Sequence, residues 1–265
     1  MLMTEIEREH LLTADQMAVF VTRGFLQLDQ VVPAEYNERI HAGQRADPTA
    51  GYAFWDASAP LREAFRLPRV SGALASLVGP DAEYDHSYLH VVGPRHDKAQ
   101  NWHVDSMIDT RPLAFDILAF YFSHDTPREM GPTLVLPGSH VRKAHAFSLG
   151  RYKNFAGQQQ LAARAGTIVF MHHAIWHCAQ PNYTDVTRYV FKLRLRAVRQ
   201  QRNLFDTTGY RSPEIARSFH SVERPWQGNE RRLDQLHQAL LWRYVTGDDH
   251  VDVSYEKSLT RMVHG

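Results

Sequence analysis

In the stretch Arg188-Tyr189-Val190-Phe191-Lys192-Leu193-Arg194-Leu195-Arg196, the apolar residues Tyr189, Phe191, Leu193 and Leu195 alternate with Arg188, Val190, Lys192, Arg194 and Arg196. That period of two is the period of a β-strand, whose successive side chains point to opposite faces. Working back from it, further strands are expected at Tyr84–Val92, Leu113–Phe122, Thr133–Leu136 and Thr167–Met171, separated by turns of Gly, Pro, Asp and Asn. Helices are expected on either side of this run. Thr13 and Gln16 form a capping box, Leu12 and Met17 a hydrophobic staple, and Met17, Phe20 and Val21 an apolar stripe that Gly24 stops. Phe25 to Leu28 predicts a short strand, residues 34–41 a short helix, and residues 42–60 a loop. Another helix ends in Leu74, Leu77 and Val78 at Gly79-Pro80. Beyond about residue 200 the chain is polar and helical, with Asn229 capping a helix whose Leu233, Leu236, Leu240 and Leu241 face one way. Helices before and after a run of short strands predict a mainly β chain: an antiparallel barrel or double sheet braced by helices.

The composition sets the function classes. Of 265 residues, 43% are hydrophobic and 22% charged, an ordinary globular balance that excludes a mainly disordered chain. Thirty Lys and Arg against 29 Asp and Glu give a net charge of +1, no basis for a nucleic-acid or anionic-membrane partner. No apolar run reaches the length of a membrane span and the first residues carry no signal-peptide core, so a soluble cytoplasmic protein is expected. The single cysteine, Cys178, excludes an internal disulfide or a thiolate cluster and is expected as a small buried hydrophobe. Sixteen histidines, concentrated between residues 86 and 177, direct attention to a metal.

His103-Val104-Asp105 places an imidazole and a carboxylate on one side of an extended segment, where both can meet one ion. The tripeptide recurs at His250-Val251-Asp252 in the polar tail, where a surface coincidence is expected. Only the first copy lies among strands and is followed by a histidine-rich one, Phe170-Met171-His172-His173-Ala174-Ile175-Trp176-His177. His172, His173 and His177 are all possible third ligands, and of the adjacent pair only one can face inward. Two His and a carboxylate with open positions form the facial triad of non-haem Fe(II) oxygenases. Zinc held by His and Asp is the rival metal, and a set of structural core histidines the rival to any metal. Arg188 follows His177 across the turn Pro181-Asn182-Tyr183-Thr184-Asp185; strands joined there would be antiparallel neighbours and bring the two together. A guanidinium beside a metal is a two-pronged carboxylate receptor. Lys192, Arg194 and Arg196 share its strand face, and for Arg194 and Arg196 a solvated face is expected.

Together these residues resemble the phytanoyl-CoA dioxygenase family of Fe(II)/2-oxoglutarate-dependent oxygenases. The resemblance runs from Leu12-Thr13 through Gly24-Phe25 to about Arg196. It is carried by Ala99-Gln100-Asn101-Trp102-His103-Val104-Asp105, by Gly131-Pro132-Thr133-Leu134-Val135-Leu136-Pro137-Gly138-Ser139-His140, and by His177 to Arg188 with Pro181-Asn182 between. It implies a double-stranded β-helix (jelly-roll, cupin-like) core at about 83–197, between a helical part at about 1–80 and a helical extension at about 200–265, all in one domain of residues 1–265. It implies iron held by His103, Asp105 and His177, with Arg188 on the distal carboxylate of 2-oxoglutarate and Gln100 and Thr133 at further cosubstrate contacts. Phe120 falls near a pocket-lining aromatic position, and His140 is structural in the family.

The sequence departs from the family pattern at three places: His86 and His90 stand where some relatives carry Gln and Lys, and Ala179 where a hydroxyl residue is common. Asp105 is retained where halogenating relatives have a small residue, which argues against halogenation. The implied activity is oxidation, foremost hydroxylation, of a small molecule such as an amino acid or natural-product intermediate, with dioxygen consumed and succinate and CO2 released. The alternatives are a metal-dependent cupin-like isomerase or hydrolase without a keto acid, and a catalytically silent binding protein. Segments 42–60, 106–112 and 141–160, with Tyr52, Trp55, Met107, Asp109, Arg111, Lys143 and Arg151, are candidates to cover the site. No residue pattern selects a substrate or an oligomeric state.

Overall fold

The strand Ile117–Phe122 (β3 below) is buried on both of its faces, and the fold is built around that fact. A computed structural model describes residues 7–105, 109–142, 149–151, 153–221 and 227–251. In chain order the strands are β1 (Phe25–Leu28), β2 (Glu83–Val92), β3 (Ile117–Phe122), β4 (Leu134–Val135), β5 (Gln159–Gln160), β6 (Thr167–His172), β7 (His177–Cys178) and β8 (Arg188–Arg196). The helices are α1 (Ala14–Arg23), α2 (Ala34–Ala46), α3 (Phe54–Ala57), α4 (Ala59–Ala64), α5 (Pro68–Val78), α6 (Pro213–Ser221) and α7 (Gly228–Thr246). A five-stranded antiparallel sheet in the order β1-β6-β3-β8-β2 faces a three-stranded antiparallel sheet in the order β5-β4-β7. This is a double-stranded β-helix braced by helices.

The period of two sorts each strand of the large sheet between two cores. Ile117, Ala119, Tyr121, Ile168, Phe170, Phe191 and Leu193 point outward to α1 and α5. Leu118, Phe120, Phe122, Val169, Met171 and Val190 point into the space between the sheets. Helix α1 starts with both halves of the Thr13–Gln16 capping box and stops at Gly24, whose φ of 80° is the left-handed conformation glycine tolerates. Helix α5 ends at Gly79 as expected.

Several expectations are corrected. The strands are shorter than predicted at Leu113–Phe122 and Thr133–Leu136, because residues 113–116, 133 and 136 lie outside the ladders. Residues 42–60 are largely helical: α2 continues to Ala46, and α3 and α4 follow, the latter capped by the Ser58 side chain on the Leu61 N–H. Helix α7 begins at Gly228 with Gln227 before it, so Asn229 is not its cap. Of the expected leucine stripe only Leu241 is fully buried, and Leu233 is exposed. The face carries Asp234, Gln238, Leu241, Trp242 and Val245. The two polar members are buried because they are matched: Asp234 pairs with Arg142 at 2.7 Å and Gln238 donates to the Thr22 carbonyl at 2.8 Å. No helix of the described residues is long and apolar enough to cross a membrane.

Candidate metal centre

His103 and His177 exchange both main-chain hydrogen bonds, each N–H donating to the other's carbonyl at 3.0 Å. Residues directly opposite in an antiparallel pair project to the same side, and Asp105, two residues on, joins them. Asp105 Oδ1 lies 3.6 Å from His103 Nε2 and 3.8 Å from His177 Nε2. One donor atom from each of the three residues falls within 4.8 Å of the others.

The remaining ring atoms prepare these donors. His103 Nδ1–H donates to the Asn101 carbonyl at 2.8 Å and His177 Nδ1–H to the Ile175 carbonyl at 3.0 Å. That tautomer leaves both Nε2 lone pairs directed at the shared focus, as in metal-binding histidines whose other ring nitrogen donates to a carbonyl. Burial holds the His177 pKa down at about 4, against the opposing field of Asp105, so the ring is a neutral ligand at neutral pH. Burial pushes the Asp105 carboxyl up, but His177, then Lys192 through its charge and hydrogen bond, and His103 outweigh it and bring the pKa to about 2. Two imidazoles and one carboxylate, with one side open to a cavity, are a donor set for a divalent ion.

That cavity, of about 340 Å³, is lined by the triad with Gln100, Thr133, Phe120, His90, Lys192 and Arg188. Arg188 is 3% exposed, and burial draws its pKa down to about 10, so it stays charged. Its Nη1 donates to the carbonyls of Met130 at 2.7 Å, Gln180 at 3.3 Å and Gly131. Among the described residues no carboxylate pairs with it, so a buried guanidinium faces the cavity without a counter-ion. An anionic ligand would supply one. Gln100 Oε1 accepts the Ala179 N–H at 3.1 Å, tying the segment before His103 to the segment after His177. Thr133 lines the same cavity but lies just before β4. Burial, with Lys192 next, holds His90 down at about 4 and neutral.

The structure therefore brings His103, Asp105, His177, Arg188, Gln100, Thr133 and Phe120 to one cavity. It also corrects how His177 and Arg188 meet: β7 pairs with β4 in the small sheet and β8 with β3 and β2 in the large one, so they face each other across the barrel rather than as neighbouring strands. His172 and His173 are not ligands of this group, and both are buried. His173 Nδ1 accepts the Asp116 N–H at 3.0 Å and its Nε2–H donates to Asp109 at 2.9 Å. His172 lies among Phe20, Phe115 and His140. Both line a separate cavity of about 530 Å³ that no triad residue touches. His140 is structural as expected, buried with Nε2–H on the Val21 carbonyl at 3.0 Å. Cys178 is buried, and burial raises its thiol to about 11.

Of the second His-Val-Asp copy, Val251 is buried and His250 hydrogen-bonds to the Tyr210 carbonyl at 3.0 Å, so these two are packing residues rather than surface ones. Asp252 lies outside the described residues, as do Met107 and Lys143. Arg194 overturns the expectation of a solvated face: it is half-buried, paired with Asp116 and Asp85 at 3.1 Å each. Arg196 is exposed and pairs with Glu83 at 2.5 Å. Lys192, expected only to share the strand face of Arg188, lines the cavity as well.

A family model described as phytanoyl-CoA dioxygenase matches residues 12–190. A comparison with curated proteins finds no match. Among solved structures, the chain is similar to HygX from Streptomyces hygroscopicus with nickel and 2-oxoglutarate bound, at 16% identity and a TM-score of 0.60 over 71% of this chain and 87% of that one. It is also similar to SnoK, a non-haem alpha-ketoglutarate-dependent carbocyclase from nogalamycin biosynthesis, at 19% identity and 0.61 over 85% and 97%. A third is EctD from S. alaskensis with 2-oxoglutarate and 5-hydroxyectoine, at 18% identity and 0.58 over 74% and 80%.

Proposed function

The chain belongs to the phytanoyl-CoA dioxygenase family, and on that premise we propose that residues 1–265 form one Fe(II)- and 2-oxoglutarate-dependent oxygenase domain acting on a small molecule. The observation that carries the reading is the meeting, in one cavity, of a pre-oriented two-histidine, one-carboxylate donor set and a buried arginine that has no carboxylate partner among the described residues. His103, Asp105 and His177 would hold the iron, and Arg188 the far carboxylate of 2-oxoglutarate, with Thr133 beside it. Gln100 acts by strapping the two ligand-bearing segments together.

Bound iron and 2-oxoglutarate supply the oxidising chemistry, spending dioxygen and releasing succinate and CO2. The chain's own contribution is positional. The paired main chains of His103 and His177 fix two donors, the Asn101 and Ile175 carbonyls fix their tautomers, and Arg188 orients the keto acid. Phe120 and Val190 line the cavity with apolar surface. Hydroxylation of an amino acid or natural-product intermediate is the outcome we favour. The similar structures include an epimerase and a carbocyclase, so product analysis is part of the test.

Anaerobic addition of Fe(II) and 2-oxoglutarate should produce the weak visible band of an iron-chelated keto acid. A metabolite panel scored for succinate, followed by mass analysis of the product, then identifies the reaction. A metal-loaded protein without the band and without succinate over the whole panel would instead favour a keto-acid-independent isomerase or hydrolase, or a silent binding protein.

A further inference from the structure

The two oxygens of Asp105 have different partners. Oδ1 faces the Nε2 atoms of His103 and His177 at 3.6 and 3.8 Å, while Oδ2 accepts a hydrogen bond from Lys192 Nζ at 3.1 Å. Both side chains of that pair are largely buried, each 14% exposed. The same strand takes a second hold of the same residue: Arg194 Nη1 donates to the Asp105 main-chain carbonyl at 3.1 Å. Lys192 and Arg194 are two apart on β8 and so project from one face of the sheet. Arg194 is itself anchored by Asp116 and Asp85. The carboxylate and the peptide of Asp105 are thus both referred to β8, in the sheet opposite β7 and His177.

An aspartate can bind a divalent ion through one oxygen or through both. Resting on the metal site proposed above, we infer that Lys192 is a positioning residue that occupies Asp105 Oδ2 and so makes Asp105 a one-oxygen ligand. With two imidazoles and a single oxygen bound, three positions of an octahedral ion would be open for a keto acid and one further ligand. A two-oxygen Asp105 would close one of them. The inference concerns the coordination mode and not the metal's identity, so a spectroscopically convenient hard cation reports on it without the cosubstrate.

The test is Lys192→Met, which keeps an unbranched side chain out to the ε position and removes the donor, loaded with Mn(II) in the absence of 2-oxoglutarate. The freed oxygen should chelate the ion. Mn(II) should then bind at least as tightly as in the wild type, while water-proton relaxivity falls by about a third as three exchangeable waters become two. Lys192→Arg retains a donor to Oδ2 and should restore the wild-type relaxivity, which a merely space-filling residue would not require. If the Met variant does not fold, Lys192→Leu is read in the same way. Wild-type relaxivity in the donor-less variant overturns the inference, as does loss of Mn(II) binding, which would make Lys192 a support for the ligand's charge rather than for its mode. A wild type that binds Mn(II) but never 2-oxoglutarate fails the functional reading and leaves this experiment intact. A wild type that binds no Mn(II) overturns both.

Discussion

The α-carbon of Gly131 packs directly on the main-chain carbonyl of Pro181, so closely that a β-carbon there would overlap the oxygen. Gly131 also has a φ of 63°, and its own carbonyl accepts from Arg188 Nη1. One glycine therefore joins the turn before β4 to the turn before β8 and seats the arginine. In Gly131→Ala the left-handed backbone costs about 1–2 kcal/mol, and the overlap with a rigid backbone atom adds to it. The denaturation midpoint should drop by a margin equivalent to about 2 kcal/mol or more, with weaker 2-oxoglutarate binding in the folded fraction. An unchanged midpoint would mean that the turn yields freely and that the close approach is incidental.

His177 and His172 come from one histidine-rich segment and should behave oppositely. His177→Ala removes a donor from the triad and should abolish tight Co(II) or Fe(II) binding while the fold persists. His172→Ala empties a place among Phe20, Phe115 and His140 and should cost stability, about 2–4 kcal/mol by analogy with other large-to-small core changes. Its metal affinity should be unchanged. Metal loss in His172→Ala at full stability would return that residue to the ligand set.

That His103 and Asp105 share one side was legible from their spacing of two, whereas the choice of His177 over His172 and His173 came only with the family resemblance; the structure brings His103, Asp105, His177 and Arg188 to one cavity. The alternation of β8 was equally legible, since a period of two survives any tertiary context. What that alternation could not say is which face meets water. A strand with charge on one face ordinarily reads as half-solvated, but here the charged face looks into the barrel, where Asp105 and Asp116 meet Lys192 and Arg194. The same kind of matching misled the reading of α7. Asp234 and Gln238 are buried because partners distant in sequence satisfy them, and periodicity of leucines carries no trace of such partners. The sheet assignment of β7 was likewise inaccessible, because a turn between two strands does not reveal that they pair with different neighbours.

Arg194 should matter through Asp105. Removing a group that orients a metal ligand typically costs about 10- to 100-fold in metal affinity, and Arg194→Met should lose Co(II) affinity in that range. Arg111 remains on Asp116 at 2.9 Å, so that buried carboxylate keeps a cation and the fold should hold. Circular dichroism and titration of the same sample separate the two effects. Wild-type affinity in the folded variant would restrict Arg194 to a structural ion pair.

Acid should destabilise the metal-free protein before its carboxylates titrate. Burial holds His140 at about 4 and His172 well below its ordinary 6.5. Unfolded, both take up a proton near pH 6.5; folded, they do not until the pH is much lower. The stability they contribute is therefore complete above pH 6.5 and is lost as pH falls toward 4 and below. Each should contribute a slope of up to about 1.4 kcal/mol per pH unit in that window. Urea midpoints measured from pH 7 to 4.5 should fall with decreasing pH, and His140→Gln should have a shallower slope than the wild type. A flat profile across that window would mean that these rings are protonated in the native state.

Arg188 should act on the cosubstrate and not on the metal. Its Nη1 is occupied by backbone carbonyls, which fix the guanidinium plane while, among the described residues, no carboxylate neutralises it. Arg188→Ala should leave Co(II) or Fe(II) affinity nearly intact, because His103, Asp105 and His177 do not depend on it. A hydrogen bond between charged groups contributes about 1.5–3 kcal/mol, and a buried carboxylate left without its partner can cost about 3–5 kcal/mol. At about 1.4 kcal/mol per tenfold change, the loss of 2-oxoglutarate affinity should lie between roughly tenfold and a thousandfold or somewhat more. Arg188→Lys should recover only part of it, since an ammonium keeps the charge and loses the two-pronged geometry. The decisive comparison is a keto acid without the far carboxylate. Its affinity should be weak in the wild type and nearly unchanged by Arg188→Ala, because the group that the guanidinium would meet is missing. Should Arg188→Ala bind 2-oxoglutarate normally and lose only the primary substrate, Arg188 belongs to the substrate's side of the cavity, and the cosubstrate carboxylate must be sought by Lys192, the other ammonium or guanidinium head that β8 turns into the cavity.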